Sequence, residues 1–314
     1  MRDAFSAALV RLARADPRVL LLTGDHGYAL FDAFRAECSD RYINAGIAEQ
    51  NMVGMAAGLA RVGFRPFVYG LSAFVPVRVL EQIKLDVAHD GLPVVFIGDG
   101  AGFVYSHLGT SHQSTEDIAC TRALPAMTVL SPADRHEMTA CMDFAFAENG
   151  PVYLRMGKSD RGDVHPNALA ALPRGRLLRL REGRADRPAL VATGSMVRTA
   201  LDISDGGLQA AVWSAPSIKP LAVDDVCVAA RSSRGVITLE EHSVVGGLGS
   251  AVAEILGEHA PTRLLRIGVP DRFSEHCGTH AYLLQEHGLD PASVQERIET
   301  FLASWPTRAE GTSA

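Results

Sequence analysis

Short runs of β-branched and aliphatic residues alternate along this chain with longer amphipathic stretches. Val19–Thr23, Arg65–Tyr69, Val94–Ile97, Met127–Leu130 and Val152–Arg155 read as strands. Ala4–Ala15, Glu49–Val62, Val79–His89 and Ala133–Glu148 between them read as helices. Strands that recur with a helix in each gap predict a parallel, doubly wound sheet. From Ser159 to Arg187 the pattern stops, and Gly162, Pro166, Pro173, Gly175 and Gly183 mark a linker. It then resumes with strands at Ala189–Ala192, Ala211–Ser214, Gly235–Glu240 and Leu264–Ile267. Helices are expected at Ser250–His259 and near Ala281–His287 and Ser293–Phe301. The expectation is an α/β chain of two doubly wound domains, residues 1–160 and 188–305, joined by a linker at 161–187. Residues 306–314 read as a disordered tail.

The 314 residues fit two domains of ~150 residues each. The 36 acids and 30 bases leave a net charge of −6. That balance argues against nucleic acid or an anionic membrane as a partner, because both select basic faces. No apolar run reaches the ~18 residues needed to cross a bilayer. The first residues mix Asp3 and arginines with apolar positions, unlike a signal peptide, so a cytoplasmic location is expected. Five dispersed cysteines without a CxxC pair suit a reducing compartment and offer no metal framework.

Three glycine signals resemble nucleotide or metal sites. Gly157-Lys158-Ser159 ends like a P-loop, but Val152 stands where the first glycine belongs. Gly246-Gly247-Leu248-Gly249 follows a strand and opens a helix, which could cradle a phosphate. Its spacing is not GxGxxG, so a tight turn is the favoured reading. Gly98-Asp99-Gly100 starts like a thiamine diphosphate magnesium motif, but Asn149 is the first asparagine after it, too far away to match. No metal ligand is expected on this chain.

The chemistry concentrates in Asn44–Ala60, where Glu49 opens a helix of Gly, Ala, Met, Val and Leu. A carboxylate at a helix start can simply meet free N–H groups. A helix this apolar should be buried, however, and burial favours the protonated carboxyl, which suits an acid that shuttles a proton. The small residues Gly54, Ala57 and Gly58 would also permit close packing across a dimer axis.

Gly46–Ala60 resembles the pyrimidine-domain signature of the transketolase and 1-deoxyxylulose-5-phosphate synthase family. The resemblance runs through Gly109-Thr-Ser-His112-Gln113, Ser131-Pro-Ala-Asp134, Gly150-Pro-Val-Tyr-Leu-Arg155, Glu240-Glu-His242 and Pro270-Asp-Arg-Phe273, in order and nearly along the whole chain. It implies thiamine diphosphate as cofactor. Glu49 matches the glutamate that hydrogen-bonds N1′ of the aminopyrimidine, so that the ring can take the proton from thiazolium C2. By the same resemblance His112 faces the substrate near C2, and Arg155 binds the substrate's distal phosphate. Phe74 stacks on the pyrimidine, and Arg78 matches an arginine of the synthase branch. The alternatives are a loop histidine, a structural ion pair and a core aromatic.

Departures from the family pattern are specific. Leu108 stands in place of an aspartate that contacts a sugar hydroxyl, Gly100 in place of a phosphate-side histidine, and Ala29 near a phosphate-side serine. They point to a sugar other than the standard pentose phosphates. The diphosphate half of the family's site is also missing. The resemblance thus implies the β subunit of a split transketolase-like enzyme moving a two-carbon ketol unit between sugars or sugar phosphates. A separate α subunit would carry the diphosphate with Mg²⁺ or Ca²⁺, in an α2β2 assembly built on a homodimer of this chain. The alternatives are the β subunit of a 2-oxo acid dehydrogenase or pyruvate-using synthase, and a non-catalytic stabilising partner. No chemistry is assigned to His242, His276 or Cys277.

Overall fold

The computed structural model describes residues 1–157 and 161–305. The end of the P-loop-like stretch and the expected tail lie outside them. In chain order the first half contributes β1 (Val19–Thr23), β2 (Tyr42–Asn44), β3 (Arg65–Leu71), β4 (Val95–Asp99), β5 (Thr128–Leu130) and β6 (Val152–Met156). The second half contributes β7 (Leu178–Arg181), β8 (Ala189–Ala192), β9 (Ala211–Ser214), β10 (Ser217–Lys219), β11 (Val236–Ser243) and β12 (Leu264–Val269). Two sheets result, ordered β10-β5-β6-β4-β3-β1-β2 and β12-β11-β8-β9-β7. All neighbours are parallel except the edge strands β10 and β7. The two doubly wound sheets match the expectation.

Helices α1 (Arg2–Ala15), α2 (Asp32–Glu37), α3 (Glu49–Arg61), α4 (Leu80–Gln82), α5 (Asp117–Ala123) and α6 (Arg135–Ala147) accompany the first sheet. Helices α7 (Met196–Ile203), α8 (Val223–Arg231), α9 (Leu248–His259), α10 (His280–Glu286) and α11 (Pro291–Ala303) accompany the second. The period-2 alternation of a strand sorts side chains to the two faces. Val19 and Leu21 of β1 join the apolar layer against α1 and α6, while Leu20 and Leu22 join the layer against α3. α4 runs on into a π-helical stretch, Ile83–Ala88, so the helix expected at Val79–His89 is irregular.

Two expectations need correction. The stretch read as linker contains β7, whose Leu178 and Arg179 pair with Ser214 and Trp213 of β9. Composition hid it, because an edge strand exposed on one side can be polar, as Arg179 and Arg181 are. Nor does the first sheet end with the first half of the chain. β10, from beyond the linker, adds antiparallel to β5.

A candidate active site at the strand ends

In open α/β sheets ligands meet the carboxyl ends of the strands, where loops leave for the helices. β2 ends at Asn44, whose side chain accepts from the N–H groups of Asp25 (3.1 Å) and Gly46 (3.0 Å). Gly46 has φ +72°, a left-handed turn that suits glycine. This turn starts α3 with Glu49 at its first position, 5% exposed. α3 buries Met52, Val53, Ala56 and Ala57 on one face. Its other face, with Gly54 and Gly58, is open in the single chain, so the helix is not buried all round.

The loop after β3 brings Phe74 and Arg78 to the same place. The Arg78 guanidinium donates to the Glu49 carboxylate at 3.1 Å and lies 3.9 Å above the Phe74 ring centre. His112 meets Phe74 edge-on, with ring centres 5.3 Å apart. Its loop is held by the bridge between Gly102 and Ser114. Glu49, Phe74, Arg78 and His112, drawn from three loops, therefore form one continuous string. His26, after β1, extends it, with its ring centre 6.4 Å from Phe74. No motif marks His26; its place just after a strand end is the available signal.

The string fits an aminopyrimidine. A flat guanidinium bonded to Glu49 and stacked on Phe74 already holds the posture such a ring would need. Arg78 keeps 45% of its side chain exposed.

Arg155 does not join the string. It is 3% exposed, and its guanidinium donates to Asp117 (2.8 Å) and to the carbonyls of Ser114 (3.2 Å) and Glu241 (2.9 Å). Burial works to lower its pKa, but Asp117 and its neighbours raise it overall. So enclosed, its guanidinium is taken up by Asp117 and two carbonyls and does not face the string, unlike the placement expected for a phosphate ligand. Ser72, Ser114 and Tyr153 complete the same buried network.

The glycine signals resolve physically. The amides opening α9 are taken inside the chain: Gly249 donates to Glu240 (3.1 Å) and Leu248 to His242 (3.2 Å). A Cβ on Gly249 would come within 2.7 Å of Glu240 and Thr238. The loop is tight because it wraps Glu240, so the turn reading holds. Asp99 of the GDG motif accepts from Tyr69 (2.7 Å) and Tyr105 (2.9 Å) and lies 3.7 Å from Arg2, a donor set unsuited to a divalent cation. Gly100 has φ +76°, and a Cβ there would overlap the Tyr105 ring. Among the described residues no cluster of three or more His, Cys, Asp or Glu side chains could hold a metal ion. No helix among them is long and apolar enough to cross a membrane. Leu108, in the expected aspartate's place, is exposed.

Residues 1–162 match the family described as the transketolase pyrimidine-binding domain, and residues 175–294 the transketolase C-terminal domain. The chain belongs to the transketolase family. Within that family it is 36% identical to the 6-deoxy-6-sulfo-D-fructose transketolase subunit SqwH of Clostridium sp. (strain MSTE9), covering 94% of this chain and 92% of that one. It is 34% identical to a subunit of the apulose-4-phosphate transketolase of Phocaeicola vulgatus, over 93% and 94% of the two chains. The 1-deoxy-D-xylulose-5-phosphate synthase of Chlorobium phaeovibrioides is 36% identical, but this chain spans 48% of it. A solved split-gene transketolase, described as an inactive β4 tetramer, superposes with a TM-score of 0.86 at 35% identity, covering 96% of this chain and 97% of that one. The transketolase family thus accounts for both sheets.

Proposed function

We propose that this chain is the β subunit of a two-component transketolase that transfers a two-carbon ketol unit between sugars. The observation that carries this is the string Glu49–Arg78–Phe74–His112 at the strand ends of one chain. Thiamine diphosphate, when bound, supplies the carbanion chemistry. Glu49 would hold a proton at the aminopyrimidine, Phe74 would carry its ring face, and His112 would face the substrate. Arg78 would yield its place between Glu49 and Phe74. Arg155 braces the protein behind the site.

The relatives named as subunits support a shared site. The chain matches the relatives named as subunits almost end to end, and spans about half of the synthase. The diphosphate, with Mg²⁺ or Ca²⁺, would then sit on a separate α subunit in an α2β2 cytoplasmic assembly. The open face of α3, where Gly54 and Gly58 have nothing within 4 Å of a Cβ, suits a contact between two copies. Arg78 also keeps a pyruvate-using synthase in view, since it matches that branch.

The test is co-expression with a candidate α subunit, scored by thiamine diphosphate binding and by turnover of a ketose against pyruvate. Binding by the mixture alone and ketose use are expected. Glu49→Ala should cut turnover by about 10²–10⁴-fold while the complex still assembles. Tight binding and turnover by this chain alone would overturn the shared site. Near wild-type turnover in the variant would remove Glu49 from the mechanism.

A further inference from the structure

A cleft of about 490 Å³ opens beside the string, lined among others by Arg2, His26, Tyr28, Tyr69 and Tyr105. His26 joins the two, because its ring also meets Phe74. Asp99 lies beneath the cleft, 4% exposed, at the end of β4. One of its oxygens accepts from both phenols, Tyr69 at 2.7 Å and Tyr105 at 2.9 Å. Burial, then the Asp99 charge, raises both phenol pKa values, that of Tyr105 to about 12. Both phenols therefore keep their protons and direct them at Asp99.

A phenol has a single proton to give. With it committed to Asp99, Tyr105, which is the half-buried one of the pair, offers the cleft only lone pairs. Arg2 offers only donors. It lies 3.7 Å from Asp99 with 55% of its side chain exposed, so its charge is already partly balanced.

We propose that Arg2, Asp99 and Tyr105 form the distal substrate subsite, and that it selects an uncharged, hydroxyl-bearing end over a phosphoester. This rests on the ketol-transfer reading above. A hydroxyl satisfies both partners: it donates to the Tyr105 oxygen and accepts from Arg2. A phosphate dianion has no proton for Tyr105 and sets its charge against Asp99. Position 100 enforces the arrangement, since any side chain there would displace the Tyr105 ring from Asp99.

The test uses the complex reconstituted with its α subunit. Hydroxypyruvate, which has no distal end, serves as donor, with D-glyceraldehyde or D-glyceraldehyde 3-phosphate as acceptor. We expect kcat/KM to favour glyceraldehyde by about tenfold or more. Asp99→Asn removes the charge that opposes a phosphate, so the ratio should narrow severalfold, mainly through KM for the phosphate. A wild-type preference for the phosphate, or an unchanged ratio in a folded Asp99→Asn enzyme, overturns the proposal. Transfer to neither acceptor overturns the ketol-transfer reading instead. A second readout needs no catalysis: millimolar inorganic phosphate titrated into the isolated full chain, followed by ¹⁵N NMR. The Gly27 and Tyr105 amides should stay in place in wild type and move in Asp99→Asn. Movement in wild type overturns the subsite.

Discussion

At Asp117 a carboxylate with no solvent exposure is held by the Arg155 guanidinium and the Tyr153 hydroxyl. Removing one member of a buried ion pair leaves the other charged and unsolvated, which typically costs about 3–5 kcal/mol. Arg155→Met should therefore lower the thermal midpoint sharply. A phosphate-binding arginine would behave otherwise: the midpoint would hold and KM for a phosphorylated substrate would rise. Thermal unfolding beside steady-state kinetics separates the two. Arg155 also shows what a strand position does and does not reveal. It stands next to the end of a strand, as a ligand-binding residue should, but its direction depends on α5 and β11, distant in sequence. Glu49 and His112 stood out because their segments carry family motifs, and Phe74 and Arg78 by their match to family positions; that the four side chains meet is seen only in the fold. His26 and Tyr105 did not, because single residues beyond strand ends have no pattern of their own, and Tyr69, inside β3, reads as one more core position of a strand. Their roles come from the groups across the sheet that they meet.

The turn into α9 shows how an element can be set by what it encloses. Gly247 and Gly249 lie against Glu240, and Gly268 approaches the same side chain from β12, where a Cβ would stand 2.6 Å from its stem. Three glycines on two backbone segments thus close around one side chain. Gly249→Ala should destabilise the protein by about 1–3 kcal/mol through overpacking. Chemical denaturation checks this, and an unchanged midpoint would show that the loop can give way. Periodicity made the strand, the turn and the helix legible in outline. It could not show that a buried glutamate takes the Gly249 amide, because that bond closes between β11 and α9 only after folding. Similarly, β7 and β10 escaped notice because each is short and edge-bound, where apolar alternation is weakest.

For the whole molecule, hydrogen bonds join the two sheets. Glu241 of β11 accepts from the Phe103 N–H (2.9 Å) in the first half and pairs with His280 (2.9 Å) in the second, with Ser195 on its other oxygen. Burial acts to raise its pKa, but the charge and hydrogen bond of His280, with Ser195 and Phe103, hold it at about 2, against an ordinary 4.5. A carboxylate depressed in this way stabilises the fold fully above the unfolded value, and that contribution is lost as pH falls from about 5 toward 2. Denaturation midpoints followed down that range should fall more steeply for wild type than for Glu241→Gln. Parallel curves would remove Glu241 as the acid-sensitive joint. Further contacts tie the halves together: Ser243 N–H donates to the Thr115 carbonyl at 2.7 Å, and Lys219 donates to the Arg122 carbonyl at 2.9 Å. The exchange of β10 carries this into genetics. A gene broken near codon 170 would yield a first product whose sheet lacks an edge strand, with β5 bare, and a second product carrying that strand with nothing to pair to. The two products would have to find each other before the seven-stranded sheet was whole.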